Sequence, residues 1–119
     1  MKKNCPIYQV MRRMGRRWTI LVLAELYKGR KKWKRYSEIK KKIPGLTPKM
    51  LSMRLKELEK EGLLKNRVDA KKFPVKSEYS LTKKGEDFFR VIDETKKWGL
   101  KWKVGNSDCP YVDCKECEF

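Results

Sequence analysis

Hydrophobic and polar positions follow one another in ways that predict helices over the first half of the chain. Residues 18–27 are apolar on nearly every helical face, which is typical of a helix enclosed by other elements. Gly29 ends that helix. Ser37 can cap a short helix over residues 38–43, and a proline–glycine pair at residues 44–45 then breaks the chain into a tight turn.

The segment after this turn predicts an amphipathic helix over residues 48–61. It starts at Thr47, a capping residue that is followed by proline at the first helical position. Leu51, Leu55 and Leu58 recur at i, i+4 and i+7, so they line one side and we expect them to be buried. The opposite side is more polar and carries Lys49, Ser52, Met53, Lys56 and Lys60.

Two extended segments and a long helix complete the pattern. Residues 64–69 and 77–81 predict a β-hairpin with a basic tip, because polar and apolar residues alternate in the second segment as in a half-buried strand. Thr82 can cap a helix from residue 83 to about residue 103. The apolar positions of this helix form a stripe long enough to pack on another helix: Phe88, Val91, Ile92, Trp98, Gly99 and Trp102.

A short helix, a sharp turn, an amphipathic helix and a basic hairpin, in that order, predict a winged helix-turn-helix. The expected fold class is α+β and mostly α, with a two-stranded β-hairpin as the wing. A chain of 119 residues suits a single core. We expect one winged helix-turn-helix domain over residues 1–103 and an acidic, cysteine-containing tail over residues 104–119.

The chain carries a strong excess of positive charge. Lysine and arginine number 32 against 15 aspartates and glutamates, which gives a net charge of +17. Such a surface attracts polyanions through counterion release, so nucleic acid is the expected partner. A bias of the whole proteome towards charged residues would raise both signs together, and here the acids lag behind. Residues 28–42 form a basic block: Lys28, Arg30, Lys31, Lys32, Lys34, Arg35, Lys40, Lys41 and Lys42.

Other functional classes find little support in the sequence. No apolar stretch is long enough to span a bilayer and no apolar run follows Lys2 and Lys3, so we expect a cytoplasmic protein that binds no membrane. The chain has no histidine, and its carboxylates mostly alternate with lysines as solvated ion pairs do, which argues against an enzyme. Cys114 and Cys117 could serve a thiol oxidoreductase, but they lack the βαβ context that such a pair needs.

The predicted motif assigns roles to individual residues. A helix with a leucine inner face and a polar outer face fits the major groove, where Lys49, Ser52, Met53 and Lys56 would meet base edges. The alternative is an ordinary helix whose charged face is merely solvated. The other predicted DNA contacts lie at the start of that helix, around the short helix before it and in the wing: Thr47, then Arg35, Tyr36 and Ser37, and finally Lys71, Lys72 and Lys76.

Several motifs in this order resemble the HxlR-type branch of the MarR-related winged-helix regulators. The matching segments are Cys5-Pro6, residues 15–21, 35–39, 44–52, 54–59 and 78–82, and Gly85. The resemblance implies a homodimer joined through its N-terminal helix and a long C-terminal dimerisation helix, with residues 47–61 reading double-stranded DNA. It also implies redox sensing by Cys5, because the cysteine of the matching pair is a redox or electrophile sensor in a subset of these regulators. The tail after residue 103 is not part of the pattern.

Three cysteines in the tail, Cys109, Cys114 and Cys117, have C-x4-C-x2-C spacing. The spacing equals that of the first three ligands of plant-type iron–sulfur proteins, and Cys5 is the one candidate for a fourth. If the terminal helices pack together, the four thiols could hold zinc or an iron–sulfur cluster. Redox-active thiols, a disulfide and an inert reduced tail remain open. The alternative function is accordingly a cysteine-based redox or metal sensor, or a protein-interaction module, that binds DNA only non-specifically.

Overall fold

The structure is a computed structural model that describes residues 1–73, 76–106, 109 and 113–117. Residues 74–75, in the predicted hairpin tip, and the remaining tail residues lie outside this description. Short 3₁₀ turns at Val104–Asn106 and Cys114–Glu116 follow the last helix. The helices and strands are α1 (Pro6–Met14), α2 (Thr19–Tyr27), β1 (Lys34–Arg35), α3 (Tyr36–Lys42), α4 (Pro48–Lys60), β2 (Leu64–Asp69), β3 (Lys76–Leu81) and α5 (Lys83–Lys101).

The strands form an antiparallel sheet in the order β1-β3-β2. The predicted wing hairpin is confirmed, since β2 and β3 pair from Leu64 opposite Leu81 to Asp69 opposite Lys76. The third strand is an addition to the prediction. Because β1 has only two residues, it contains no alternation that a sequence pattern could reveal. It joins the basic block to the wing.

The core lies between α2, α3 and α4. Leu51, Leu55 and Leu58 are buried as predicted, each at most 2% exposed. They pack with Val22 and Leu23 of α2 in one hydrophobic cluster. The cluster holds the helix-turn-helix rigid, so the opposite face of α4 is presented outwards.

Two details of the predicted helices are wrong. The short helix starts at Tyr36 and not at residue 38, so Ser37 lies inside it and does not cap it. The reason is that β1 leads directly into the helix, and the Glu38 carboxylate accepts a hydrogen bond of 3.4 Å from the backbone N–H of Arg35. The predicted enclosure of residues 18–27 also fails on one side, because Leu21 is 52% exposed.

The start of α5 is fixed against the end of α4. Thr82 is the predicted cap, and its hydroxyl accepts a hydrogen bond of 3.2 Å from Gly85 N–H. A Cβ atom on Gly85 would lie 2.1 Å from the carbonyl oxygen of Leu63, so only glycine permits this approach. Further along, the ring of Phe89 is buried and stacks on Tyr27 with centroids 3.6 Å apart. Within the described ranges, no helix combines the length and the apolar character needed to cross a membrane.

Candidate nucleic-acid interface

The outer face of α4 is open to solvent. Lys49, Met53 and Lys56 are exposed, while Ser52 is half-buried beside α3. The prediction that these side chains point away from the core is therefore confirmed. Thr47 caps the helix as predicted, because its hydroxyl accepts a hydrogen bond of 3.2 Å from the N–H of Met50. Its side chain is exposed, and its contact with DNA stays a prediction.

Tyr36 joins α3 to the first turn of α4. Its hydroxyl donates a hydrogen bond of 2.8 Å to the carbonyl oxygen of Pro48. The same hydroxyl lies 3.2 Å from Oγ of Ser52. A tyrosine hydroxyl has one proton, and since the shorter bond takes that proton to Pro48, we infer that Ser52 is the donor in the second contact. Tyr36 thus positions the helix and orients the hydroxyl of Ser52.

An open cavity of about 510 Å³ lies between the start of α3 and the wing. The predicted contacts Arg35, Tyr36 and Ser37 line it from one side, and Lys72 and Lys76 line it from the other. The positive charges of Arg35 and Lys72 lower the pKa of Lys76. Three cations that repel one another across a solvent-filled space form a suitable site for an anion.

Two further residues of the wing, Phe73 and Lys71, lie differently with respect to this cavity. Phe73 also lines it and is fully exposed at the wing tip. Lys71 does not line it, although its side chain is exposed, and its backbone N–H donates a hydrogen bond of 3.1 Å to Oδ1 of Asp69. The structure therefore brings together five of the seven predicted contacts outside α4, and the two that do not line the cavity are Thr47 and Lys71.

The prediction that Lys34 belongs to an exposed basic block is wrong, because its side chain is buried and cannot reach a phosphate. Its ammonium donates hydrogen bonds to the carbonyl oxygens of Glu25 and, at 2.6 Å, of Lys28. The Glu25 carboxylate, also buried, lies 3.7 Å away. Desolvation lowers the pKa of Lys34, and the negative charge of Glu25 opposes that shift. Lys34 thus closes the C-terminal end of α2.

Arg54 is a positioning residue that the sequence analysis missed. It is 8% exposed and donates a hydrogen bond of 2.7 Å to the carbonyl oxygen of Arg17. Both oxygens of Glu57 accept from it at 2.9 Å, and Arg16 lies 3.1 Å from the same carboxylate. The signal was present, since residue 54 falls on the leucine side of the helix and has an acid at i+3.

Exposed apolar side chains lie on the terminal helices α1 and α5. On α1, Ile7 is 64% exposed. Trp98 on α5 is 61% exposed, and Trp102, which directly follows this helix, is 64% exposed. Val10, Met11 and Val91 are also exposed. Large apolar side chains in such numbers are typical of a surface that another protein covers.

The four cysteines do not gather into one group. In the part of the chain that is described, no three His, Cys, Asp or Glu side chains lie close enough together to hold a metal ion. Cys5 is half-buried at the N-terminal cap of α1. Cys114 and Cys117 are half-buried in the tail turn. The zinc and iron–sulfur interpretations stay predictions.

Comparison with known proteins places these features in a family. A family model described as an HxlR-like helix-turn-helix matches residues 13–107. The uncharacterized HTH-type transcriptional regulator YdzF of Bacillus subtilis is 40% identical over 98 residues, which cover 82% of this chain and 87% of YdzF.

Solved structures agree with this match. A transcriptional regulator of the MarR family from Porphyromonas gingivalis superimposes with a TM-score of 0.77 at 36% identity, covering 85% of this chain and 95% of that one. The redox regulator HypR in its oxidised form gives a TM-score of 0.72 at 30% identity, covering 88% of this chain and all (100%) of that one.

Proposed function

Because this chain belongs to the HxlR-like helix-turn-helix family of transcriptional regulators, we propose that it binds a specific site on double-stranded DNA as a homodimer. The family makes it a transcriptional regulator and not an enzyme. The observation that carries the proposal is the outer face of α4, which is exposed, polar and held in place by Tyr36 and Arg54. Rigid presentation favours specific recognition, because little order has to be created on binding.

In the proposed complex α4 enters the major groove. Lys49, Met53 and Lys56 meet base edges there, with lysine suited to the acceptors of guanine. Ser52 is more restricted, because a proton engaged by Tyr36 leaves its oxygen able only to accept a hydrogen bond from a base. An acceptor at this position favours an amino group, which adenine and cytosine present in the major groove.

The cationic cavity is the proposed phosphate site. It collects Arg35 from the helix-turn-helix with Lys72 and Lys76 from the wing, and the lining that is described contains no carboxylate. A phosphate bound there would relieve the mutual repulsion of the three cations. Contacts of this kind fix the register of a protein on the duplex without reading its sequence.

The apolar surface of α1 and α5 is the proposed dimer interface. Trp98 and Trp102 supply large contact areas, and aromatic side chains are enriched where homodimers bury surface. Two-fold symmetry would place two copies of α4 about one helical turn apart, on an approximately palindromic site.

Redox sensing by Cys5 forms part of the proposal. The thiol lies at the start of α1, two residues before the exposed Ile7, so a modification there would alter the proposed dimer interface. The similarity to the redox regulator HypR supports a thiol-based response. Replacement Cys5→Ser should then abolish an oxidant-induced change in DNA affinity while leaving the affinity of the reduced protein unchanged.

The proposal is tested by selecting DNA from a random pool and then footprinting the selected site. We expect two protected half-sites with centres about ten base pairs apart, and protection that survives about 0.2 M salt. Binding that such salt erases for every sequence would instead favour the alternative of a sensor or interaction module.

Assembly is tested with matched variants. Trp98→Glu should sediment as a monomer and lose the footprint, whereas Val68→Glu, at an exposed apolar position on the wing, should remain dimeric. A dimeric Trp98→Glu variant would contradict the proposed interface.

A further inference from the structure

Residues 113–117 of the tail contain a turn with two cysteines, and this turn contacts Gly29 and Arg30. Cys114–Glu116 is a 3₁₀ turn, closed by a hydrogen bond of 3.1 Å from the N–H of Cys117 to the carbonyl oxygen of Cys114. That oxygen also accepts from Gly29 N–H at 3.2 Å. A turn of this kind keeps its first and fourth Cα atoms within about 7 Å, and disulfides join Cα atoms about 4.4–6.8 Å apart.

The two residues between the cysteines are the anchors of the tail. The ammonium of Lys115 lies 4.1 Å from the centre of the Tyr27 ring. Both carboxylate oxygens of Glu116 accept hydrogen bonds of 2.8 Å from the guanidinium of Arg30. Any change in the backbone between the cysteines therefore moves both anchors.

Both thiols lie beside positive charge. The ammonium of Lys96 on α5 is 3.5 Å from Sγ of Cys114. Cys117 lines a pocket of about 150 Å³ in which five cationic side chains, among them Arg30 and Lys31, face two carboxylates. The thiolate is the form of cysteine that attacks an oxidant, and these cations are the groups that would lie beside it.

We propose that Cys114 and Cys117 form a reversible intrachain disulfide that releases the tail from Arg30 and Gly29. The oxidant is a hydroperoxide. The Cys114 thiolate attacks the O–O bond, so that an S–O bond forms and the O–O bond breaks. The departing alkoxide takes up a proton and leaves as an alcohol, or, when the oxidant is hydrogen peroxide, the departing hydroxide is protonated to water. Cys117 then attacks the sulfenic sulfur, an S–S bond forms, the S–O bond breaks, and the departing hydroxide is protonated to water. Two thiols are oxidised, one hydroperoxide is reduced, and a low-molecular-weight thiol reverses the change.

Release follows from the geometry of the bridge. A disulfide holds its two Cβ atoms about 3.5–4.5 Å apart with a fixed dihedral angle, and we expect the backbone of Lys115 and Glu116 to rotate as the bridge closes. The hydrogen bond from Gly29 and the bidentate pair with Arg30 both depend on the present conformation of that backbone. The inference concerns thiol chemistry and tail docking, so its failure is distinguishable from a failure to bind DNA.

The test uses the full chain with Cys5→Ser and Cys109→Ser, which leaves only the tail pair. After one equivalent of hydrogen peroxide, we expect both thiols to resist alkylation. Peptide mapping should detect a disulfide between Cys114 and Cys117 of the same chain. The rate of amide hydrogen exchange at Gly29 should rise at least about tenfold. In a variant that also carries Cys117→Ser, the sulfenic acid should persist on Cys114 and react with dimedone. Lys96→Gln should slow the first step.

Peptide mapping of the unsubstituted chain gives a second measurement in case the doubly substituted chain folds poorly. A bridge between chains or to Cys5, thiols that stay reactive, or a bridge that leaves the exchange of Gly29 unchanged would each overturn the proposal.

Discussion

The hydroxyl of Tyr36 and the carbonyl oxygen of Pro48 are joined by a hydrogen bond of 2.8 Å. This bond connects the two helices of the helix-turn-helix at the point where α4 begins. Because the same hydroxyl accepts from Ser52, it also determines which hydrogen-bonding group Ser52 presents.

Tyr36→Phe should therefore change recognition more than stability. Losing the bond should cost about 1 kcal/mol of unfolding free energy, since the Pro48 carbonyl is near solvent. The hydroxyl of Ser52 then becomes able to donate, so we expect weaker preference for adenine or cytosine at the contacted position. Urea unfolding and competition binding measure the two effects. Unchanged base preference in the variant would contradict the role assigned to Tyr36.

Lys72→Ala should weaken binding to all DNA sequences by a similar factor. Lys72 lines the cavity proposed for a phosphate. Because one phosphate contact is lost in the variant, the slope of log K against log salt concentration should become shallower by about one. Lys97→Ala is a matched control, because Lys97 is exposed on α5 and pairs with Asp93. A slope that falls equally in both variants would show that the effect is one of net charge alone.

Gly85→Ala should destabilise the protein by roughly 1–3 kcal/mol or more, because the added methyl group would lie 2.1 Å from the backbone oxygen of Leu63. Gly99→Ala in the same helix has no described atom within 4 Å of the added carbon, so it should be neutral or stabilising by up to about 1 kcal/mol. Thermal and urea unfolding compare the two. Equal stabilities for both variants would contradict the close approach of α5 to Leu63.

Lys34 should make the free energy of unfolding depend on pH in the alkaline range. Its pKa is lowered by desolvation in the folded protein, so in the range below the ordinary value of 10.5 the unfolded chain binds more protons than the folded one. The free energy of unfolding contributed by Lys34 therefore rises as pH increases towards 10.5. The facing groups Glu25, Lys28 and Glu38 remain in a Lys34→Met variant, so we expect the difference between the two proteins to carry this slope. A difference that falls with pH would contradict a lowered pKa.

The sequence predicts best those features that repeat along the chain. Leu51, Leu55 and Leu58 predicted α4 and its buried side correctly, because a leucine recurs on the same face at each turn of the helix. The sequence predicted an exposed Lys34 wrongly and gave no role to Arg54. The hydrogen-bond partners of these two residues lie 9 and 37 residues away along the chain, and composition cannot distinguish a buried cation from an exposed one. The cavity between Arg35 and Lys76 and the docking of Glu116 on Arg30 likewise exist only after folding.

The most direct test of the proposed reading mode compares the DNA selected from a random pool by the natural chain and by Ser52→Ala. If α4 reads bases, the variant should lose about 1–3 kcal/mol of discrimination at one position in each half-site, with the other positions unchanged. Lys60→Ala, an exposed residue of the same helix, should select the natural sequence. Identical selected sequences for the natural chain and Ser52→Ala, with only a uniform loss of affinity, would contradict the assignment of α4 as the reading helix.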